Sequence, residues 1–138
     1  MAHKLIKLTG RMIKGGHAAG EALVSPEPVG FFGNVDPETG VVIEAGHPLE
    51  GDCVAGRVLV FPTGKGSTVG SYTLYRLKKN NVAPAAIVNA ESEPIVAVGA
   101  IISDIPMVDA VPMGEIATGD WVEIKEGEII IRQRIING

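Results

Sequence analysis

Residues 56–79, GRVLVFPTGKGSTVGSYTLYRLKK, contain the clearest pattern of secondary structure in the sequence. The stretch opens with Gly56–Phe61, whose apolar side chains predict a strand buried on both faces. The glycine-rich residues 62–71 follow, and Tyr72–Lys79 has the pattern of a helix. Ala85–Asn89 is then expected to be a short buried strand. The order strand, loop, helix, strand predicts two parallel strands joined by a right-handed crossover.

The predicted helix carries its own boundary signals. Ser67 or Thr68 is expected to cap its first turn, because a hydroxyl oxygen at that position accepts free backbone amides. Lys78-Lys79 suit the negative end of the helix dipole, and Asn80-Asn81 end the helix. The apolar face of the predicted helix consists of Val69, Tyr72, Tyr75, Leu74 and Leu77.

Three strands are predicted before this unit. They lie at Lys4–Ile13, Glu21–Val24 and Val41–Glu44, where β-branched and apolar residues are bounded by turns. The turns themselves have clear signals, since proline and glycine follow aspartate in Asp36–Gly40.

The chain after the unit is expected to add a helix and more strands. Ile95–Ile102 is predicted to be a helix with proline at its first position, although its Ile and Val content also suits a strand. Met107–Val111 is a short strand, and Trp121–Lys125 pairs with Glu128–Arg132 in a hairpin that turns at Glu126-Gly127. The fold class is therefore α/β and rich in β-structure.

Composition sets limits on the class of protein. The 138 residues suit one domain spanning positions 1–138, and 46% hydrophobic residues supply a core that is poor in aromatics, which make up 4%. The net charge of −4 gives no basic field for nucleic acid. No apolar run reaches the ~18 residues of a membrane span. Charge and hydropathy together therefore predict neither nucleic acid nor a membrane as a partner.

The single cysteine, Cys53, indicates a reducing compartment, and we expect a cytoplasmic protein. Cys53 is expected to be a small buried hydrophobe, and one thiolate cannot hold an iron–sulfur cluster. The histidines His3, His17 and His47 have no partners at metal-ligand spacing, so no metal site is predicted in this chain.

The loop Gly64–Ser71 is the strongest candidate for a functional site. Its three glycines allow close backbone approach to a ligand, and the helix that follows offers free amides. Lys65, Ser67, Thr68 and Ser71 add polar groups that suit a carboxylate or a phosphate. The spacing is not that of a nucleotide-binding P-loop, because Gly66 follows Lys65. A glycine-rich turn capped by serine is the alternative.

Two other loops are candidates for contact with a partner protein. The small residues Gly15–Gly20, which include His17, are predicted to form one of them. The second is Gly30–Val35, where Phe31 and Phe32 suit either the core or a protein interface.

Three ordered motifs resemble the small subunit of the aconitase X family. They are Gly10–Ser25, Asn34–Gly40 and Gly64–Tyr72, and the resemblance extends over nearly the whole chain. It implies a swivelling β/β/α domain like the small domain of aconitase and isopropylmalate isomerase. It also implies a heteromer in which a larger catalytic subunit binds a 4Fe-4S cluster on its own cysteines, leaving this chain without a cofactor and inactive alone.

The reaction implied by the resemblance is the removal of water from a small phosphorylated hydroxy acid. Archaeal two-subunit members convert (R)-5-phosphomevalonate into trans-anhydromevalonate 5-phosphate for isoprenoid synthesis. A fused bacterial branch dehydrates cis-3-hydroxy-L-proline, and the free-standing small chain favours the archaeal form.

The serine base of the family matches Ser67 in this sequence. Amides of Gly66 and Thr68 and the charge of Lys65 are expected to stabilise its alkoxide. Gly64, Lys65, Gly66, Thr68 and Ser71 are then the expected substrate-binding residues.

Two other classes of function remain open from the sequence. One is a phosphocarrier domain, which needs a histidine where this chain has Ser67 and Thr68. The other is a non-catalytic binding module, in which Ser67 would have no chemical role.

Overall fold

A computed structural model describes residues 3–134. In this range the chain forms eight strands and two helices. In chain order they are β1 (His3–Thr9), β2 (Arg11–Lys14), β3 (His17–Val24), β4 (Val58–Phe61), α1 (Gly70–Lys79), β5 (Ala86–Asn89), α2 (Pro94–Ile102), β6 (Met107–Asp109), β7 (Trp121–Lys125) and β8 (Glu128–Arg134).

All eight strands belong to one mixed sheet that curls on itself. The strand order is β1-β8-β7-β3-β4-β5-β6-β2, parallel from β3 to β6 and antiparallel elsewhere. The two ends of the order, β1 and β2, are separated in sequence by Gly10 alone. A side chain on Gly10 would collide with Val108 and with the carbonyl oxygen of Asp109, so the bend requires glycine.

The predicted central unit is confirmed. Strands β4 and β5 pair in parallel with Val58 opposite Ala86, every residue of both strands is buried, and α1 connects them. The second helix is also confirmed, with Pro94 at its start and the Glu93 carboxylate accepting the amides of Ile95 and Val96. Carboxylate capping explains why this Ile- and Val-rich segment is helical.

The predicted hairpin is confirmed as well. Strands β7 and β8 pair across Glu126 and Gly127, which both have positive φ angles, as this tight turn needs. Buried and more exposed residues alternate along β7, with Val122 and Ile124 buried.

Hydrophobic side chains form two clusters on opposite faces of the parallel strands. One contains Leu59, Phe61 and Ile87 and packs beneath α1, α2 and the long 25–56 segment. The other contains Val58, Val60 and Val88 and packs against the hairpin. The alternation along β4 thus places successive side chains in different clusters.

Three strand predictions are corrected. Lys4–Ile13 divides into β1 and β2 at the Gly10 bend, and the strand expected at Glu21–Val24 starts at His17. Val41–Glu44 makes only isolated bridges within the described residues, at Val41 and Val42. The residues that pair with Val41 and Val42 lie in loops, so the pairing does not extend into a strand ladder.

The prediction of a buried Cys53 is wrong. Its side chain is exposed, and the thiol contacts the Thr39 carbonyl oxygen at 3.4 Å. Cys53 lies opposite Val41 in an isolated bridge within the long 25–56 segment, and its side chain faces solvent.

The apolar face predicted for α1 is wrong in part. Leu74 and Leu77 are buried together with Gly70 and Thr73, whereas Val69 and Tyr72 are exposed. The cause is the close approach of α2. A side chain on Gly99 would come within 2.6 Å of Leu74, so the face of α1 that includes Leu74 turns inward.

Candidate active site

The glycine loop lies where parallel strands end. Strand β4 ends at Phe61 and β5 at Asn89, so the loops that follow both strands meet at one edge of the sheet. The side-chain amide of Asn89 donates to the Phe61 carbonyl oxygen at 3.0 Å. This buried contact fixes the point at which the chain leaves β4 and starts toward Ser67.

The base of the loop is held by the segment that contains Val29. The Val29 amide donates to the Thr63 carbonyl oxygen, and the Lys65 amide donates to the Val29 carbonyl oxygen, each at 3.2 Å. Gly64 sits between them and is buried. A Cβ on Gly64 would come within 2.5 Å of Val96 and 3.0 Å of the Glu93 carboxylate, so this glycine serves packing against α2.

The tip of the loop is open. Gly66, Ser67 and Thr68 are all exposed, and a Cβ on Gly66 would meet no atom within 4 Å beyond its chain neighbours. The φ of Gly66 is +100°, a backbone conformation that favours glycine over any other residue. The tip therefore leaves the Ser67 side chain open to solvent.

The prediction that Ser67 or Thr68 caps α1 is wrong. The cap position is Val69, and no side chain caps the helix. Ser67 instead closes a turn before the helix, because its Oγ accepts the Val69 amide at 3.1 Å and its carbonyl oxygen accepts the Gly70 amide at 2.9 Å. A hydrogen bond donated to Oγ favours the anionic form of the hydroxyl.

Several amides around the serine lack acceptors. Among residues 3–134, no backbone or side-chain oxygen accepts the amides of Gly66, Ser67 or Thr68, nor those of Ser71 and Tyr72 at the start of α1. Together with the positive end of the helix dipole, they make a suitable environment for a negatively charged group.

The side chain of Lys65 is engaged in an ion pair and is not free at the loop tip. Its ammonium forms an ion pair with the Glu44 carboxylate at 2.7 Å, which joins the loop to the 41–51 segment. Sequence reasoning missed Glu44, because a lone glutamate far from the loop has no distinguishing pattern.

The Ser71 hydroxyl contacts α2 and not the loop tip. The hydroxyl donates to the Ile95 carbonyl oxygen of α2, and the side chain is half-buried. The structure thus brings Gly66, Ser67 and Thr68 together at the tip and places Gly64, Lys65 and Ser71 in contacts with neighbouring segments.

The two loops expected to meet a partner have different structures. His17 begins β3, so the loop predicted at Gly15–Gly20 is mostly strand. In the other loop Phe31 is 1% exposed and packs edge-on against Phe61, whereas Phe32 is 53% exposed. Phe32 lies beside the start of α1, where its amide would be 3.9 Å from a Cβ on Gly70.

An ion pair with a buried carboxylate fixes the neighbouring edge of the sheet. Arg11 donates to both carboxylate oxygens of Asp109, at 2.8 and 2.7 Å, and the Ser92 amide donates to the same carboxylate at 2.9 Å. The hydrogen bond from Arg11 lowers the pKa of Asp109 to about 2, the Ser92 amide acts in the same direction, and burial opposes both. The pair holds the turn that leads into α2.

Between positions 3 and 134, no three His, Cys, Asp or Glu side chains are placed to bind one metal ion. Neither described helix is long and apolar enough to cross a membrane.

Known proteins resemble this chain over nearly its whole length. The family model for the aconitase X swivel domain matches residues 7–133. A Methanosarcina acetivorans protein named phosphomevalonate dehydratase small subunit is 56% identical over 126 residues, which cover 89% of this chain and 88% of that protein.

Solved structures give the same result. The crystal structure of Thermococcus kodakaraensis aconitase X in its holo form superposes with a TM-score of 0.89 at 56% identity, covering 91% of this chain and 98% of that one. A protein solved in solution by NMR superposes with a TM-score of 0.83 at 46% identity, covering 96% of this chain and all of the other (100%).

Proposed function

Because the chain belongs to the aconitase X swivel domain family, we propose that it is the small subunit of a phosphomevalonate dehydratase that supplies the serine base. The proposed reaction removes water from (R)-5-phosphomevalonate and gives trans-anhydromevalonate 5-phosphate. The observation that carries the proposal is the placement of Ser67 at an exposed tip, with its Oγ accepting the Val69 amide.

A large subunit is required on chemical grounds. The tip of the loop is open to solvent, and a base that removes a proton from carbon needs a closed site in which its charge is not hydrated. The exposed Phe32 and Tyr72 flank the loop and suit a covering protein. We therefore propose that the large subunit docks over this face, in the reducing cytoplasm.

The iron–sulfur cluster is assigned to the large subunit. Cys53, the only cysteine of the sequence, lies on the long loop without the further thiolates that such a cluster needs. The donor set of this chain does not fit the group, so none of its residues is given a role as a ligand. When bound in the large subunit, the cluster would supply a Lewis acid for the departing hydroxyl.

The proton transfer falls to Ser67. Its Oγ, as the alkoxide, accepts the proton from the carbon beside the one that carries the hydroxyl; the C–H electron pair forms the double bond as the hydroxyl leaves. The Val69 amide stabilises Oγ while it is anionic. Free amides of Gly66 and Thr68 stand on the same turn and add to the favourable field.

Binding of a substrate anion is a second role for the same loop. Unpaired amides at Ser71 and Tyr72 suit a carboxylate or phosphate, and the two roles are compatible because they use different atoms. Lys65 contributes only when its ammonium leaves Glu44, which lies 2.7 Å away.

The experiment that tests the proposal is reconstitution. The chain is co-expressed with its large subunit, the cluster is rebuilt without oxygen, and the complex is offered (R)-5-phosphomevalonate and cis-3-hydroxy-L-proline. We expect dehydration of the phosphorylated acid alone, and no activity from this chain by itself. Turnover of only the hydroxyproline would overturn the assigned substrate.

A further inference from the structure

We infer that His47 is a positioning residue for the serine loop, an inference that rests on the proposed function for its effect on catalysis. His47 lies in the 41–51 segment, far from Ser67 in sequence, and is 6% exposed. Both of its ring nitrogens are engaged. The Leu49 amide donates to Nδ1 at 3.0 Å, and Nε2 lies 3.0 Å from the Pro28 carbonyl oxygen.

These two contacts determine the tautomer. Nδ1 accepts a hydrogen bond, so it carries no proton, whereas a carbonyl oxygen can only accept. The proton of the neutral ring must therefore sit on Nε2 and be donated to Pro28. A buried imidazole with both nitrogens satisfied is a rigid connection between two loop segments.

The connection leads directly to the serine loop. Pro28 precedes Val29, whose amide and carbonyl groups hold Thr63 and Lys65 at the base of the loop. A side chain on Gly30 would come within 2.8 Å of the Lys65 carbonyl oxygen, so the strip formed by residues 28–30 lies tightly against the base of the loop. A shift of Pro28 would be transmitted to Lys65, two residues before Ser67.

The same segment holds the loop a second time. Glu44, three residues before His47, receives the Lys65 ammonium, and the His47 amide donates to the Glu44 carbonyl oxygen at 3.2 Å. The 41–51 segment thus restrains the loop in two ways. His47 acts on the loop backbone through Pro28 and Val29, and Glu44 binds the side chain of Lys65. The tip at Gly66 has no such contacts, which makes its geometry depend on the base of the loop.

The test uses two substitutions that each keep one nitrogen's function. In His47→Gln the side-chain amide can still donate to Pro28, whereas in His47→Asn the side-chain oxygen can still accept from Leu49 but does not reach Pro28. In the reconstituted complex, with cluster content matched, we expect His47→Asn to lower kcat by roughly 10–100-fold with KM little changed. His47→Gln should retain most of the activity. Glu128→Gln, at an exposed position of β8, is the control for a surface substitution.

A second readout is independent of activity. In NMR spectra of the full-length chain, the His47 ring should show an unprotonated Nδ1. The amide signals of Val29, Lys65 and Ser67 should shift in His47→Asn but stay near wild type in His47→Gln. A protonated Nδ1 in the wild type, unchanged amide signals in His47→Asn, or equal losses in both variants would overturn the inference. The proposed function is tested separately. Full turnover in Ser67→Ala would contradict the proposed function, whereas the NMR results for the His47 variants would stay as predicted.

Discussion

The ammonium of Lys65 lies 2.7 Å from the Glu44 carboxylate, so the positive charge of the glycine loop is neutralised in the free chain. Lys65 is 40% and Glu44 25% exposed, which places the pair where water screens it in part. The pair joins two segments that are distant in sequence, and it restrains the residue two positions before Ser67. Its effect on stability and its effect on the reaction can be separated.

Lys65→Ala should weaken turnover less than loss of the serine does. An exposed ion pair contributes about 0–1 kcal/mol, so the melting temperature of the chain should change little. In the complex, kcat should fall by less than about tenfold, because Lys65 positions the loop and does not itself transfer the proton. Glu44→Gln is the matched control, since it frees the ammonium without removing it. A loss in Lys65→Ala as large as in Ser67→Ala would show that Lys65 takes part in the reaction as directly as Ser67 and does not act by positioning alone.

Ser71→Ala should affect stability and leave the chemistry intact. The Ser71 hydroxyl donates to the Ile95 carbonyl oxygen, so its removal leaves a partly buried acceptor without that donor. A loss of about 1 kcal/mol in the free energy of unfolding is expected from urea titration. The kcat of the assembled complex should stay within about threefold of wild type. Normal stability combined with abolished turnover would show that Ser71 contacts the substrate instead.

Phe32→Asp should weaken assembly without unfolding the chain. Phe32 is 53% exposed beside the serine loop, so a charge there is hydrated in the free chain but must be buried under a partner. Co-purification with the large subunit should be reduced. Phe31→Asp is the contrasting change, because Phe31 is 1% exposed and a carboxylate in that core should prevent folding. Normal complex formation by a folded Phe32→Asp chain would place the partner surface elsewhere.

The Arg11–Asp109 pair should give the chain an acid-dependent component of stability. The pKa of Asp109 is lowered to about 2 in the folded chain, whereas an unfolded aspartate titrates near 3.9. The unfolded state therefore takes up the proton first as pH falls. The stabilisation is complete above about pH 5 and is lost progressively as pH falls through 4 toward 2.

Arg11→Gln removes the guanidinium that lowers the pKa of Asp109. Arg11→Gln should flatten the fall in stability between pH 5 and 2 relative to wild type, because the folded pKa of Asp109 rises toward its ordinary value. Urea titrations at a series of pH values measure this directly. Identical pH profiles for the two proteins would show that another group causes the acid sensitivity.

The central unit is predictable from sequence because its signals are local. An apolar run, a glycine-rich break and a basic helix end each identify an element within a few residues, and β4, α1 and β5 follow them closely. The α2 start is predictable for the same reason, since Glu93 and Pro94 act on the next turn.

Features set by distant residues are not predictable in this way. The inward face of α1 depends on the missing side chain of Gly99, and the burial of Phe31 depends on Phe61 thirty residues away in sequence. The 41–51 segment has only a weak strand pattern, yet it supplies Glu44 and His47 to the serine loop. The sequence places Ser67 in the loop before the helix. It does not distinguish a serine that caps the helix from one that closes a turn before it, because both have the same local pattern.

The turnover of Ser67→Ala bears most closely on the assignment of Ser67 as the proton acceptor. The variant should fold and assemble normally, because Ser67 is exposed and its side chain makes only one hydrogen bond with residues 3–134, accepted from the Val69 amide. In the reconstituted complex, with cluster content equal to wild type, we predict a kcat lowered by roughly 10²–10⁴-fold, as for loss of a general base. Substrate affinity should change much less than turnover. A kcat near the wild-type value in this variant would contradict the assignment and leave the loop with anion binding alone.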